Sequence, residues 1–85
     1  MEWLNYHHLL YFWTVAKEGS LRKASEKLHV SQSSISAQVS ALEEALGEEL
    51  FRPSGRTNVL TEMGRVVMGY AEDISSLGRE MMNTV

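Results

Sequence analysis

Two helical patterns meet within four residues, Leu28 to Ser31, and no other feature constrains the fold of this chain as strongly. The first pattern opens at a predicted N-cap, Ser20. Its inner face consists of Leu21, Ala24 and Leu28. The second pattern opens at a predicted N-cap, Ser31, and is closed by Gly47. Its apolar residues are Ile35, Val39, Leu42 and Leu46, at spacings of four, three and four. Helices joined this tightly form a packed pair, in which the small side chain of Ala24 allows close approach.

A further helix is predicted on each side of this pair, together with a hairpin. The first helix runs from a predicted N-cap at Asn5 to Gly19, and its apolar stripe is Tyr6, Leu9, Leu10, Trp13 and Ala16. The predicted strands are Leu50–Arg52 and Asn58–Leu60, because the residues between them, Pro53-Ser54-Gly55-Arg56, are typical of a turn. Thr61 then caps a last helix, with Glu62 in its first turn. The predicted fold is mainly α. Residues 1–60 form a winged helix-turn-helix, with a three-helix core and a short β-hairpin wing, and residues 61–85 form a long C-terminal linker or dimerisation helix.

The outward face of the second helix in the pair is small and polar. At about 100° per residue, the residues nearly opposite the apolar stripe are Ser33, Ala37, Ser40 and Glu44, of which the first three are short. Gln32 and Ser36 flank this face near the helix start. Short side chains let a helix lie deep in the DNA major groove, where residues near its start contact base edges. Gln pairs with adenine through two hydrogen bonds, and Ser bonds to several bases or to phosphate. We therefore predict a recognition helix; the alternative is an ordinary capped, solvated helix start.

The net charge of −3 opposes this interpretation, because DNA-binding domains usually have a basic surface. The charges are unevenly distributed, however. Four acids fall between Glu43 and Glu49, whereas Leu50–Leu60 has two arginines and no acid. Arg56, beside Gly55 in the predicted turn, can reach a phosphate or the minor groove, although a solvated turn arginine is the alternative. The cations of the preceding helix are either phosphate contacts or ordinary surface charges: Arg22, Lys23 and Lys27.

The last helix carries a heptad pattern. Its apolar residues follow at spacings of 4, 3, 4, 3 and 4: Met63, Val67, Tyr70, Ile74, Leu77 and Met81. The later part of this stripe extends beyond the needs of a three-helix core. We therefore predict a homodimer through this helix, which places two recognition helices on a two-fold DNA site. The alternative is that the stripe folds back on its own chain.

Other classes of function have weaker support. The chain has no cysteine, and its three histidines form no nucleophilic or metal-binding motif, so we expect no enzyme, metal site or cofactor. The apolar stretch Leu9–Trp13 is too short to span a membrane, and the start of the chain does not resemble a signal peptide, so we expect a cytoplasmic location. The main rival is a helical protein-interaction module without DNA binding, which the acidic charge favours.

The order of these features resembles the N-terminal DNA-binding domain of LysR-type transcriptional regulators. The resemblance covers about residues 8–64 and rests on Leu9, Phe12, Val15, Gly19-Ser20, Ala24, Leu28, Val30 to Ser36, Gln38, Leu42-Glu43, Leu46-Gly47, Leu50-Phe51, Gly55-Arg56, Leu60-Thr61 and Gly64. It implies a winged helix-turn-helix that binds pseudo-palindromic double-stranded DNA. A full regulator of this family also has a C-terminal effector-binding domain. We therefore expect this chain to be a fragment or a natural stand-alone form.

The resemblance also assigns residues. It implies base contacts from Gln32, Ser33 and Ser36, and the wing arginine of the family matches Arg56. We assign DNA backbone or flanking contacts to Ser20, Ser31, Ser34, Gln38 and Arg56. Many members have a base-reading arginine where this chain has Ala37. Because alanine has no side-chain donor, we expect readout there to be lost or replaced by contact with a thymine methyl group.

Overall fold

The computed structural model describes residues 3–85, and its order of elements confirms the predicted fold. The elements are α1 (Tyr6–Glu18), α2 (Leu21–Leu28), α3 (Gln32–Leu46), β1 (Phe51–Ser54), β2 (Thr57–Leu60) and α4 (Glu62–Thr84). Helices α1, α2 and α3 pack on one another, the two strands form an antiparallel hairpin, and α4 packs along α1.

Each helix begins at a polar side chain that accepts hydrogen bonds from the first turn, as the sequence predicts. Asn5 Oδ1 accepts from the backbone N–H groups of His7 and His8, at 3.0 and 3.2 Å. The other three caps are hydroxyls: Ser20 accepting from Lys23 (3.0 Å), Ser31 from Ser34 (3.2 Å) and Thr61 from Gly64 (2.9 Å). Such a cap is worth about 1 kcal/mol, which explains why the helix starts follow from local sequence.

The turn between α2 and α3 is held by Ser25. Its Oγ donates to the carbonyl oxygen of Val30 at 2.6 Å, and its own carbonyl accepts the N–H of His29. His29 ends α2 in the left-handed region at φ 56°. The chain can therefore reverse direction within the short junction and start α3 at Gln32.

The core lies where the helices and the base of the hairpin meet. Its buried apolar side chains are Leu9, Phe12, Val15, Ala24, Ile35, Val39, Leu42, Leu50 and Ala71. The predicted stripe of α1 is partly wrong, because Phe12 and Val15 are buried whereas Tyr6 is 58% exposed and Leu10 39% exposed. This helix is apolar on more than one side, so packing selects the buried face. Leu46, predicted to be an inner residue, is 45% exposed at the end of α3.

The strands of the hairpin differ in their bounds from the prediction. β1 begins one residue later and ends two residues later than predicted, and β2 begins one residue earlier. Leu50 precedes β1, and its side chain is fully buried. Pro53, predicted in the turn, lies in β1 opposite Asn58. A proline fits there because each strand of this two-stranded sheet has an outer edge that needs no N–H donor. The turn itself is Gly55-Arg56, with Gly55 at φ 62°.

The predicted heptad stripe of α4 is divided between two surroundings. Val67 and Ile74 are half-buried and pack against the core of their own chain. The other four positions are exposed: Met63, Tyr70, Leu77 and Met81. The inner side of α4 also includes Ala71, which is buried beside the core. The folded chain therefore uses part of the stripe and leaves the rest uncovered.

Candidate nucleic-acid interface

The exposed side of α3 carries short or uncharged side chains over its first nine residues. The buried residues of this stretch are Ile35 and Val39, which anchor the helix in the core. The exposed ones are Gln32, Ser33, Ser36, Ala37 and Ser40. A helix with so little side-chain bulk on one side permits close approach of another molecule to its backbone.

The hairpin stands beside one edge of this surface. Asn58 of β2 lines a hollow together with Ser36 and Ser40 of α3. Gln32, one turn before Ser36, lines a neighbouring groove that also includes Ser20 and Arg56. The structure thus brings four of the predicted contact residues to the side of α3 that faces the wing: Ser20, Gln32, Ser36 and Arg56.

The remaining predicted contact residues lie elsewhere around the start of α3. Ser33 is exposed, with its hydroxyl 3.4 Å from the hydroxyl of Ser31. Ser34 and Gln38 are half-buried on another side of the helix, where Gln38 Nε2 donates to Ser34 Oγ at 3.4 Å. The predicted set therefore surrounds the helix start rather than forming one row.

Three arginines from distant parts of the chain meet beside the start of α3. Arg22 comes from α2, Arg56 from the hairpin turn and Arg65 from α4. We call the depression that they line, together with Ser20, Gln32 and Asn58, the arginine groove. Within residues 3–85, no acidic side chain lines it. It is a local cationic surface on a chain whose net charge is −3.

The arginines of this groove are weakly engaged by their own chain. Arg22 Nη1 lies 3.9 Å from Glu26 Oε1, and both side chains are mostly exposed, so this pair contributes little. Arg65 Nη1 donates to the carbonyl oxygen of Leu60 at 3.3 Å. This bond holds the side chain at the base of β2 without neutralising its charge. No local sequence signal marks Arg65, because it lines the same depression as Arg56 only after the hairpin has folded back.

Glu43 also has a role that the sequence did not indicate. It belongs to the acidic run at the end of α3, but its side chain is half-buried. Its Oε2 accepts hydrogen bonds from the backbone N–H groups of Leu50, at 2.8 Å, and Phe51, at 3.3 Å. This acid therefore connects the end of α3 to the base of the wing.

In the part of the chain that the structure describes, no group of three His, Asp or Glu side chains is placed to hold a metal ion. Across residues 3–85, no helix combines the length and apolar character that crossing a membrane requires.

The sequence is similar to a family of bacterial regulators. A family model described as "Bacterial regulatory helix-turn-helix protein, lysR family" matches residues 6–65. The transcriptional activator protein NhaR of Escherichia coli (strain K12) is 42% identical over 85 residues, which are 100% of this chain and 28% of NhaR. The residues from Asn5 to Ser20 predict an NhaR-like member, and this identity is consistent with that prediction. The RuBisCO operon transcriptional regulator of Allochromatium vinosum is 44% identical over 70 residues, 82% of this chain and 23% of that protein. The chain thus spans about a quarter of the length of these curated relatives.

Solved structures share the whole fold. The crystal structure of BenM_DBD with catB site 1 DNA has a TM-score of 0.89 and 33% sequence identity, over 95% of this chain and 91% of that one. The crystal structure of the CbnR_DBD–DNA complex has a TM-score of 0.84 and 34% identity, over 95% and 93% of the two chains. The winged helix-turn-helix and the long following helix are therefore found together in these solved structures as well.

Proposed function

This chain belongs to the lysR family of bacterial regulatory helix-turn-helix proteins, and we propose from that premise that it binds double-stranded DNA sequence-specifically and regulates transcription. The observation that carries the proposal is the arginine groove, which lies directly beside the small polar side of α3. A cationic surface for phosphates and a slim helix for the major groove are the two parts that a DNA-binding domain of this type requires.

Helix α3 is the proposed recognition helix. Its exposed side chains are short enough for the helix to lie deep in the major groove, with Gln32, Ser33 and Ser36 reaching base edges. Of these three side chains, Gln32 offers the most base-specific contact, because its amide can form two hydrogen bonds with one adenine. Ala37, exposed on the same side, offers only a methyl group for contact with thymine.

The phosphate backbone is proposed to run along the arginine groove. Arg22 and Arg65 face it from two helices, and Arg56, at the tip of the hairpin, extends toward the adjacent backbone or minor groove. We assign further backbone or flanking contacts to Ser20, Ser31, Ser34 and Gln38 around the start of α3. Contacts to the phosphate backbone fix the register of the protein on the duplex but do not select its sequence.

A homodimer through α4 is proposed as the binding unit. Tyr70, Leu77 and Met81 leave a row of large apolar side chains exposed along the helix, which is costly for an isolated chain in water. Two copies paired along this row would present two recognition helices to a pseudo-palindromic site. Residues 61–85 then serve as the linker and dimerisation helix, next to the DNA-binding unit of residues 1–60.

The activity of the relatives supports a regulator rather than an enzyme. NhaR is a transcriptional activator and the Allochromatium protein regulates the RuBisCO operon. We propose that this chain performs the DNA-binding part of such a role and needs no cofactor for it. A bacterial regulator meets its DNA in the cytoplasm, where we place this protein.

A binding titration tests the proposal. A duplex selected from a random pool is titrated with the protein at several salt concentrations, alongside a scrambled duplex of the same composition. We expect preferential binding of the selected duplex and an affinity that falls as salt rises. Absence of any salt-sensitive DNA binding would contradict the proposal and favour a protein-interaction module.

Two variants locate the binding surface in the same assay. Ser36→Glu adds a negative charge to the exposed side of α3, and we expect it to abolish specific binding while the helical content stays unchanged. Ser76→Glu adds the same charge to an exposed position of α4 and is expected to bind as the native protein does. Equal binding by both variants would exclude α3 as the recognition helix.

A further inference from the structure

Leu50 lies at a joint between three elements. Its side chain is fully buried in the core, and its N–H donates to Glu43 Oε2 of α3 at 2.8 Å. Its carbonyl oxygen accepts from the N–H of Thr61, the N-cap of α4, at 2.9 Å. One residue therefore joins the recognition helix, the base of the wing and the start of α4.

Glu43 carries the α3 side of this joint. The same carboxylate oxygen accepts the N–H of Phe51, the first residue of β1, at 3.3 Å. A carboxylate in the last turn of a helix is unfavourable, because the C-terminal end of the helix dipole is negative. Two charge-assisted hydrogen bonds from the wing offset this effect and tie the side chain to one place.

The wing has few other restraints on its orientation. The bonds between β1 and β2 join four residues of each strand to one another, but not to α3. The remaining contacts hold its base. Leu50 is buried in the core, and the rings of Phe12 and Phe51 lie 5.3 Å apart. Thr61 Oγ1 donates to the carbonyl oxygen of Glu49 at 2.6 Å, and Arg65 Nη1 donates to that of Leu60 at 3.3 Å. Among the described residues, the two bonds to Glu43 are the only hydrogen bonds between the wing and α3, so they act directly on the angle between these two elements.

We propose that Glu43 is a positioning residue, which holds the wing at a set angle to α3 and so directs Arg56 toward the DNA. The structural part of this inference stands on the two hydrogen bonds alone. Its consequence for DNA binding rests on the proposed function. The two parts are tested separately.

Amide hydrogen exchange, followed by NMR on the free protein, tests the structural part. In Glu43→Ala, we expect exchange at Leu50 and Phe51 to accelerate roughly tenfold, because both amides lose their acceptor. Glu43→Gln keeps an uncharged acceptor oxygen, so the protein stays folded and exchange rises about threefold. Glu44→Gln, an exposed neighbour with the same change of charge, leaves both amides unchanged. Exchange at Leu50 and Phe51 in Glu43→Ala equal to that in the native protein and in Glu44→Gln would overturn the proposal.

Double-mutant cycles on DNA affinity test the functional part. We expect Arg56→Ala to weaken binding severalfold in the native background and by less than half that factor in Glu43→Ala, because the wing is already displaced. Ser33→Ala, on the outer side of α3, should weaken binding by the same factor in both backgrounds. Equal coupling of Glu43 to Arg56 and to Ser33 would indicate general loosening and overturn the positioning role. If the native protein binds no DNA, the proposed function fails while the exchange result still decides the structural part.

Discussion

At the scale of single residues, the turn between α2 and α3 depends on one residue with a strained backbone conformation. His29 is the only residue other than glycine with a positive φ among residues 3–85, at 56°. A side chain in this region costs about 1–2 kcal/mol relative to an ordinary helical conformation. The turn is stable because Ser25 forms hydrogen bonds with the backbone of His29 and Val30. Ser31 then caps the next helix.

Replacing this residue by glycine should therefore stabilise the protein. Relief of the strain in His29→Gly exceeds the entropy that glycine adds to the unfolded chain, which leaves a gain of about 0.5–1 kcal/mol in the free energy of unfolding. His29→Val should destabilise the fold, since β-branched residues tolerate this conformation least. Urea unfolding followed by circular dichroism measures both, and a less stable glycine variant would contradict the argument.

Arg65 is a second residue whose role can be measured by itself, through the salt dependence of DNA binding. If it neutralises a phosphate from the arginine groove, Arg65→Ala should weaken binding to all duplexes alike. It should reduce the slope of log affinity against log salt by about 2, because each copy in the proposed dimer loses one phosphate contact. Arg79→Ala removes the same charge from the other end of α4 and should leave the slope unchanged. Because Arg79 lines the apolar groove between α1 and α4, this control is measured at protein concentrations where the variant is dimeric. Equal slopes for the two variants would remove Arg65 from the interface.

At the scale of elements, α4 is placed by a close approach at its first turn. Gly64 is buried, and a Cβ built on it would overlap the carbonyl oxygen of Leu50. The sequence does not predict this contact, because a glycine near a helix start has no signal that distinguishes packing from weak helix propensity. The absence of a side chain lets α4 begin directly against the base of the wing.

Two glycines of the same helix allow a matched comparison. Gly64→Ala should lower the free energy of unfolding by about 1–3 kcal/mol or more, since the obstruction is backbone that cannot rotate away. Gly69→Ala meets no atom within 4 Å and should raise stability by about 0.5–1 kcal/mol through helix propensity. Thermal unfolding of both variants tests the contrast, and a neutral effect at Gly64 would show that α4 can shift.

At the scale of the whole molecule, α4 belongs to two environments. Val67 and Ile74 complete the core of their own chain, whereas Leu77 and Met81 are 63% and 61% exposed. Beside this end of the helix, Leu10, Trp13, Met81 and Met82 line an apolar groove between α1 and α4. This uncovered surface is where we propose that a second copy of the chain packs.

Charge introduced on that surface should separate the copies without unfolding them. Leu77→Glu places a carboxylate in the proposed contact, and we expect the dimer dissociation constant to rise at least tenfold, with a loss of high-affinity DNA binding. Ser76→Glu, an adjacent exposed position, controls for charge. Analytical ultracentrifugation gives the association state, and an unchanged dimer in Leu77→Glu would place the interface elsewhere.

Four features follow from local sequence alone: the order of elements, the four N-caps, the turn at Leu28–Ser31 and the exposed polar side of α3. These features depend on residues within one or two turns of each other, where capping and periodicity act. The base contacts assigned to Gln32, Ser33 and Ser36 stay predictions. Tertiary packing sets which side of α1 is buried, how the stripe of α4 is divided, and which distant residues come together. The convergence of Arg22, Arg56 and Arg65, and the bonds from Glu43 to the wing, arise from packing between segments far apart in the chain, and no local pattern encodes such distances.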